Sequence, residues 1–271
     1  MLLKASTITG CSIDATDGEI GTISDLLFDD ATWAVRWLVV DTGGWLSGRR
    51  VLLPSSHLGE ARAGMTAIPV NLTRDQVKDS PDIDTNQPVS RQMEQTVYDY
   101  YGWAPYWPAA GAYIPPMGFA GAGLAYPLPG AYSPSRSVPG VGDQTSADAD
   151  RHQPTGDPHL RSIGEVTGYY IQGTDGDIGH VDDFEVDAQD WAIRYMVVDT
   201  GNWWSGKKVL IAPNWIRDID WSGQSVTLGQ TREEIRNAPE YDPDRPIDRD
   251  YESRLHRHYG APEYWSVSEI K

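Results

Sequence analysis

Residues 16–52 read TDGEIGTISDLLFDDATWAVRWLVVDTGGWLSGRRVL, and residues 174–210 read TDGDIGHVDDFEVDAQDWAIRYMVVDTGNWWSGKKVL. The two stretches match at a constant offset of 158 positions, which indicates that one structural unit was duplicated. The matching positions carry Gly, Trp, Val, Asp and Arg, and neither copy offers a matched nucleophile with its base or a matched metal-ligand set. The duplication therefore predicts a repeated fold, no catalytic residues and no metal or cofactor site.

The register between the copies continues beyond this stretch and divides the chain into three parts. We expect a first domain with a C-terminal helix at residues 1–102, a linker at residues 103–160, and a second such domain at residues 161–271. A domain of roughly a hundred residues can bury a modest core without disulfides or metal. Pro, Gly, Ala and Tyr are dense in the linker, which disfavours both helices and strands. Matching Pro54 to Pro213 requires one inserted residue.

Composition limits the classes of function that the chain can have. The formal net charge is −17, and both domains are acidic, which argues against nucleic acid as a partner. The single cysteine, Cys11, cannot form an intramolecular disulfide, which favours a reducing compartment. The sequence has neither the apolar segment of a signal peptide nor one long enough to span a membrane. We therefore expect a soluble cytoplasmic protein.

Within each copy the hydrophobic pattern is typical of strands. The dipeptides Asp17-Gly18 and Asp175-Gly176 predict tight hairpin turns. The apolar runs at residues 33–40 and 191–198 predict a central strand that is covered on both faces. Two capping boxes predict a short helix after the last strand of each copy, and a longer helix is expected to follow each short one. The capping boxes pair Thr73 with Gln76 and Thr231 with Glu234.

Small units of five or six strands with a turn glycine at each hairpin favour barrels, which removes exposed sheet edges. Residues 18–25 (GEIGTISD) and 33–54 (WAVRWLVVDTGGWLSGRRVLLP) resemble the PRC-barrel family, and residues 176–183 and 191–211 resemble it equally well. That family is named for the cytoplasmic domain of the photosynthetic reaction-centre H subunit, and it also supplies a domain of the bacterial ribosome maturation factor. The resemblance implies two PRC-type β-barrels with binding or assembly roles rather than a shared catalytic site.

The best candidate for an interaction surface is the duplicated loop at residues 41–50 and 199–208, which places Trp and a basic pair in a Gly-rich segment. Trp beside Arg is enriched at the energetic centres of protein interfaces. The alternative is that the Trp residues close the barrel ends and the basic pairs form a solvated edge. The interaction residues are Trp45, Arg49, Arg50, Trp203, Trp204, Lys207 and Lys208.

Other matched residues are assigned structural roles. Arg36 and Arg194 lie in otherwise apolar strands and need a paired carboxylate, for which Asp41 and Asp199 are the candidates. The remaining structural residues are the turn and strand positions Asp17, Gly18, Gly21, Trp33, Gly43, Asp175, Gly176, Gly179, Trp191 and Gly201.

Taken together, the sequence predicts a non-enzymatic interaction or assembly module that binds a protein partner or a second copy of itself. The two barrels are expected to pack on each other as a pseudo-dimer. Two alternatives remain open, each suggested by one of the relatives named above. One is a binding module for a small or quinone-like molecule of a redox system, and the other is an accessory protein of RNA processing or the ribosome.

Overall fold

The structure, a computed structural model, describes residues 1–46, 48–59, 61–62, 64–80, 91–102, 159–201 and 206–265. Strands dominate the described residues, so the predicted mainly β class is confirmed. The strands are β1 (Leu2–Lys4), β2 (Ser12–Ala15), β3 (Gly18–Asp29), β4 (Ala34–Asp41), β5 (Arg50–Pro54), β6 (Ala67–Pro69), β7 (Leu160–Ser162), β8 (Tyr170–Gly173), β9 (Gly176–Asp187), β10 (Ile193–Asp199), β11 (Lys208–Ile211), β12 (Ile216–Asp220) and β13 (Ser225–Leu228). The helices are α1 (Ala5–Ile8), α2 (Arg74–Lys78), α3 (Arg91–Tyr101), α4 (Ile163–Val166), α5 (Arg232–Asn237) and α6 (Arg249–His258). Among the described residues, no helix is both long and apolar enough to cross a membrane.

The strands form two sheets, each built on one long, bent strand. The first sheet has the order β5-β4-β3-β2-β6, and the second has the order β11-β10-β9-β8-β13-β12. We call the bodies around these sheets the first unit and the second unit. Their equivalent hairpins are antiparallel, whereas β2 with β6 and β8 with β13 are parallel pairs. This arrangement of the described residues is consistent with two barrel-like domains.

Each sheet is completed by a short strand that comes from the other copy. Strand β1 pairs with β9 of the second unit, with Leu3 opposite Val186. Strand β7 pairs with β3 of the first unit, with Arg161 opposite Phe28. The exchange is reciprocal, as expected of an isologous two-fold interface. The predicted packing of the two copies as a pseudo-dimer therefore takes the form of exchanged strands.

Backbone hydrogen bonds join the two units at the centre of this interface. The amide of Val35 donates to the carbonyl oxygen of Trp191 at 2.9 Å, and the amide of Ile193 donates to that of Trp33 at 2.7 Å. Both Trp residues have φ near +57°, at 56° and 58°, a conformation uncommon for a side chain of this size. The rings of Phe28 and Phe184 meet across the same interface, with centroids 6.2 Å apart. These matched contacts fix how the units sit on each other.

Most predicted elements are found where the sequence indicated them. The Asp-Gly hairpins join β2 to β3 and β8 to β9, and β4 and β10 are almost wholly buried. Both capping boxes form, at the first turns of α2 and α5. The inserted residue was wrong, because the 3-10 turns Ser55–His57 and Pro213–Trp215 keep the offset of 158. The residue that matches His57 is therefore Trp215, and Pro54 matches Ala212.

Candidate functional site

The base of the duplicated loop is tied to the C-terminal end of the short helix that follows the barrel. The guanidinium of Arg49 donates to two carbonyl oxygens at the end of α2, one of them at 2.8 Å. The ammonium of Lys207 donates to two equivalent carbonyl oxygens at the end of α5, at 2.8 and 2.5 Å. Terminal carbonyls of a helix lack intrahelical partners, so a cation there stabilises the helix end. The acceptors are Lys78 and Ser80 in the first unit, and Arg236 and Ala238 in the second.

Only part of the predicted interaction surface falls within the described residues. Trp203 and Trp204 lie outside them, as does the side chain of Trp45. Arg50 is exposed, and Lys208 is half-buried with its ammonium 2.6 Å from a carboxylate oxygen of Asp182. The idea of a simple solvated edge is wrong for Arg49 and Lys207, because both anchor the loop to a helix.

The two strand arginines form the predicted kind of ion pair with different partners. Arg36 lies 3.1 Å from Asp29, and Arg194 lies 3.2 Å from Asp187. Asp41 and Asp199 were the wrong choice, because each carboxylate accepts a hydrogen bond from a backbone amide two residues later in its own turn. The true partners stand seven residues earlier in sequence, at the end of the neighbouring strand.

The glycines and aspartates of the hairpins have structural contacts that repeat in both units. A Cβ atom on Gly21 would lie 2.1 Å from the carbonyl oxygen of Asp41, and one on Gly179 would lie 1.9 Å from that of Asp199. Gly18 and Gly176 have φ of 139° and 140°, which the turn requires and which other residues rarely adopt. The turn aspartates also cap helices, because Asp17 accepts from the amide of Arg74 at 2.8 Å and Asp175 from that of Arg232 at 2.7 Å.

A buried polar network lies between β10 and α6 of the second unit, and sequence reasoning missed it. The hydroxyl of Tyr195 lies 3.0 Å from Glu252 Oε1 and 2.9 Å from His256 Nε2. Tyr264 donates to the same Glu252 oxygen at 2.9 Å, and Arg249 donates to the other at 2.8 Å. The i, i+4 spacing of Glu252 and His256 on one helix was the available signal.

The proton count decides how this network is connected. His256 Nδ1 lies 2.8 Å from the carbonyl oxygen of Pro262, which can only accept, so Nδ1 carries a proton. When His256 is neutral, its Nε2 must accept the single proton of Tyr195. When His256 is charged, Nε2 donates, and Tyr195 is free to donate to Glu252. Burial lowers the pKa of His256, so the neutral arrangement is favoured.

A second buried acid lies where the exchanged N-terminal strand meets the second unit. Glu185 is opposite Lys4 in the β1–β9 pair and is only 3% exposed. Tyr241 donates a hydrogen bond to it at 2.5 Å. Burial raises the pKa of Glu185 to about 7, although the Tyr241 bond opposes the shift. A cavity of about 180 Å³ adjoins this site and is lined by Asp182 and Lys208 among others. The residue matching Glu185 in the first copy is Leu27, so the repeat pattern did not indicate an acid here.

Comparison with known proteins supports the fold of the first unit. Residues 2–77 match the model of the PRC-barrel domain, so a PRC-barrel domain is present there. An uncharacterized protein of Deinococcus radiodurans is 37% identical over 79 residues. That match covers 29% of this chain and 28% of the relative, so the chain spans well under a third of the relative's length.

Proposed function

We propose that this chain is a non-enzymatic protein-interaction or assembly module made of two PRC-type barrels in tandem. The match at residues 2–77 and the equivalent strand order of the second unit support the tandem assignment. The observation that carries the proposal is the reciprocal exchange of β1 and β7, because it makes two repeats into one body. Such a body holds the ends of the two equivalent loops at fixed relative positions, which suits a bivalent partner or a symmetric one.

The loops have the composition and the support that a contact surface needs. Trp45, Trp203 and Trp204 supply large side chains of the kind that dominate binding energy at interfaces. Arg49 and Lys207 hold the loop bases against helix ends, which reduces the ordering entropy lost on binding. We assign the partner contact to the Trp residues together with Arg50, which is exposed.

The remaining features of the described residues favour binding over catalysis. The buried acids and histidine of the second unit bond to neighbouring side chains and backbone. The positions of Glu185 and His256 carry Leu27 and Tyr98 in the first unit. A quinone-like ligand would need an apolar pocket of roughly 300 Å³ or more. Two cavities of about 180 Å³ in the second unit are smaller than that, and charged, polar and apolar side chains border them together.

The test compares the wild-type chain with a variant in which Trp45, Trp203 and Trp204 are all changed to Ala. Each is used as bait in an extract of the source organism, and complexes are analysed by mass spectrometry and light scattering. The matched control is Tyr170→Ala, which removes an aromatic side chain that is 68% exposed outside the loops.

The proposal expects one protein, or a second copy of the chain, to be retained in fixed stoichiometry by the wild type and by the control. The triple variant should lose it while keeping the wild-type circular dichroism spectrum. Retention by all three baits would remove the loops as the contact surface. A wild-type chain that remains monomeric and retains nothing would contradict the function itself.

A further inference from the structure

Three metal-ligating side chains come together on the second unit, beside the cavity described above. His180 and Asp182 belong to β9, and Asp199 is the last residue of β10. One ligand atom from each lies within 4.8 Å of the other two, and all three residues are half-buried. The group joins an imidazole to two carboxylates, which is a mixed donor set rather than a patch of surface acids.

The sheet itself brings these residues together. His180 is directly opposite Asp199 in the β9–β10 pairing, so the two side chains lie on the same face. The register shifts between Val197 and Val198, which leaves Asp182 as the extra residue of a β-bulge. A bulge redirects a side chain that would otherwise follow the strict alternation of the strand. Asp182 is thereby aimed at the His180–Asp199 pair.

Each of the three side chains retains an atom able to coordinate a cation. Asp199 uses one oxygen to accept from Gly201 at 2.7 Å, and its second oxygen is available. Asp182 uses one oxygen for the ammonium of Lys208 at 2.6 Å. Among the described residues, the His180 ring forms no hydrogen bond that would occupy its nitrogens.

We propose that His180, Asp182 and Asp199 bind one divalent first-row transition-metal ion, for which Zn²⁺ is the natural probe. Zinc holds imidazole nitrogen and carboxylate oxygen at about 2.0–2.2 Å, which places ligand atoms roughly 3.4 Å apart around one ion. The donor atoms lie within 4.8 Å of one another, so they need to approach by up to about 1.4 Å, within the reach of side-chain rotation. The imidazole favours such an ion over Mg²⁺ and Ca²⁺, which prefer oxygen ligands.

Lys208 has a defined part in this site. Its ammonium neutralises Asp182 when no cation is bound, and it opposes a divalent ion through like charge. Removing that charge while keeping a long polar side chain, as in Lys208→Gln, should tighten Zn²⁺ binding by roughly fivefold to tenfold. A merely structural ion pair would predict no gain in metal affinity.

The first unit provides the matched control. Thr22 and Ser24 occupy the positions of His180 and Asp182 there, whereas Asp41 matches Asp199. Thr22 is opposite Asp41 in the same way, and the same bulge is present. The double variant His180→Thr with Asp182→Ser thus gives the second unit the residue types that the first unit has at the matching positions. It removes two ligands with side chains that this backbone already accommodates.

The experiment measures Zn²⁺ bound to the full chain by equilibrium dialysis with elemental analysis, and the affinity by calorimetry. The wild type should bind one more equivalent than the double variant, and His57→Asn should bind as much as the wild type. Ring ¹H–¹⁵N spectra should show the His180 nitrogens shifting as the first equivalent is added. Mg²⁺ at the same concentration should leave that ring signal unchanged.

Equal Zn²⁺ uptake by the wild type and the double variant would overturn the proposal, as would an unshifted His180 ring signal. If circular dichroism shows that the double variant does not fold, Asp182→Asn takes its place. That substitution keeps the shape of the side chain and removes its charge, and it should weaken Zn²⁺ binding by roughly tenfold or more. An unchanged affinity in Asp182→Asn would equally overturn the proposal.

Discussion

The centres of the two units show how far equivalent positions have diverged in chemistry. Trp37 of the first unit and Tyr195 of the second occupy the same place on the central strand, and both are fully buried. The Trp37 ring packs edge-on against Tyr98 of α3, with centroids 5.1 Å apart. The hydroxyl of Tyr195 instead lies within hydrogen-bond distance of Glu252 and His256 of α6. One backbone arrangement therefore supports either an aromatic contact or a buried polar network.

The interface between the units behaves in the opposite way, because its backbone contacts are nearly identical in both directions. Asp183 accepts from the amide of Ser6 at 3.1 Å, and Asp25 accepts from the amide of Gly164 at 3.2 Å. Those contacts hold the exchanged strands and are dictated by backbone geometry. The comparison indicates that the interface between the units determines the overall structure. The side chains between each sheet and its last helix, by contrast, can be replaced.

The largest expected effect tests the shared backbone geometry. Gly21→Ala and Gly179→Ala would each drive a Cβ atom into a carbonyl oxygen, and each should lower the free energy of unfolding by at least about 4 kcal/mol. Urea denaturation followed by Trp fluorescence measures the loss. Gly229→Ala is the control, since a Cβ there meets nothing within 4 Å. A mild effect at either position would show that the neighbouring strands can move apart at that glycine. The two units would then not share one rigid backbone geometry.

The next effect distinguishes the two places where an exchanged strand joins a sheet, because Glu185 of the second unit matches Leu27 of the first. Its pKa in the folded chain is about 7, above the ordinary 4.5, so the folded state holds the proton more tightly. Protonated Glu185 therefore adds to the free energy of unfolding. This contribution is fully present below pH 4.5 and is lost as pH rises through 7, for a total of about 3 kcal/mol. Unfolding free energies of the wild type and Glu185→Gln between pH 4 and pH 8 measure it. The variant should lose this part of the pH dependence, and parallel curves would contradict the assignment.

A smaller effect is expected inside the network of the second unit. Tyr195→Phe removes the hydroxyl that donates to His256 and lies 3.0 Å from Glu252, and leaving the buried His256 nitrogen unpaired should cost about 2 kcal/mol. Tyr170→Phe, at a side chain that is 68% exposed, should cost nothing measurable. Thermal and urea unfolding of the two variants give the comparison. A neutral Tyr195→Phe would mean that the network contributes no net stability and is equivalent to the aromatic contact of the first unit.

The smallest effect should be the same in both units. Thr73→Ala and Thr231→Ala each remove the capping oxygen of a short helix, and each should cost about 1 kcal/mol. The corresponding Thr→Ser variants keep that oxygen and should stay close to the wild type. Unequal losses from the two Ala variants in urea denaturation would show that the duplicated helices are not equally supported by their units.

Local signals account for most of what could be predicted. The Asp-Gly turns, the apolar central strands and the capping boxes each depend on residues within a few positions of one another. The partners of Arg36 and Arg194 were missed because two acids were in reach of each strand, and the pairing of β3 with β4 decides between them. The insertion was predicted wrongly because the shared prolines Pro54 and Pro213 outweighed the constant offset of 158.

The amino-acid sequence by itself determined that one unit is present twice, that each is mainly β, and where its turns and helix caps fall. These features follow from hydrogen bonds and steric limits between near neighbours in the chain. Only the tertiary structure decided that β1 completes the second unit and β7 the first, because a three-residue strand carries no information about which sheet it joins. It also decided the bulge that brings Asp182 to His180 and the burial of Glu185. Those outcomes depend on register and on solvent exclusion between segments that are distant in sequence.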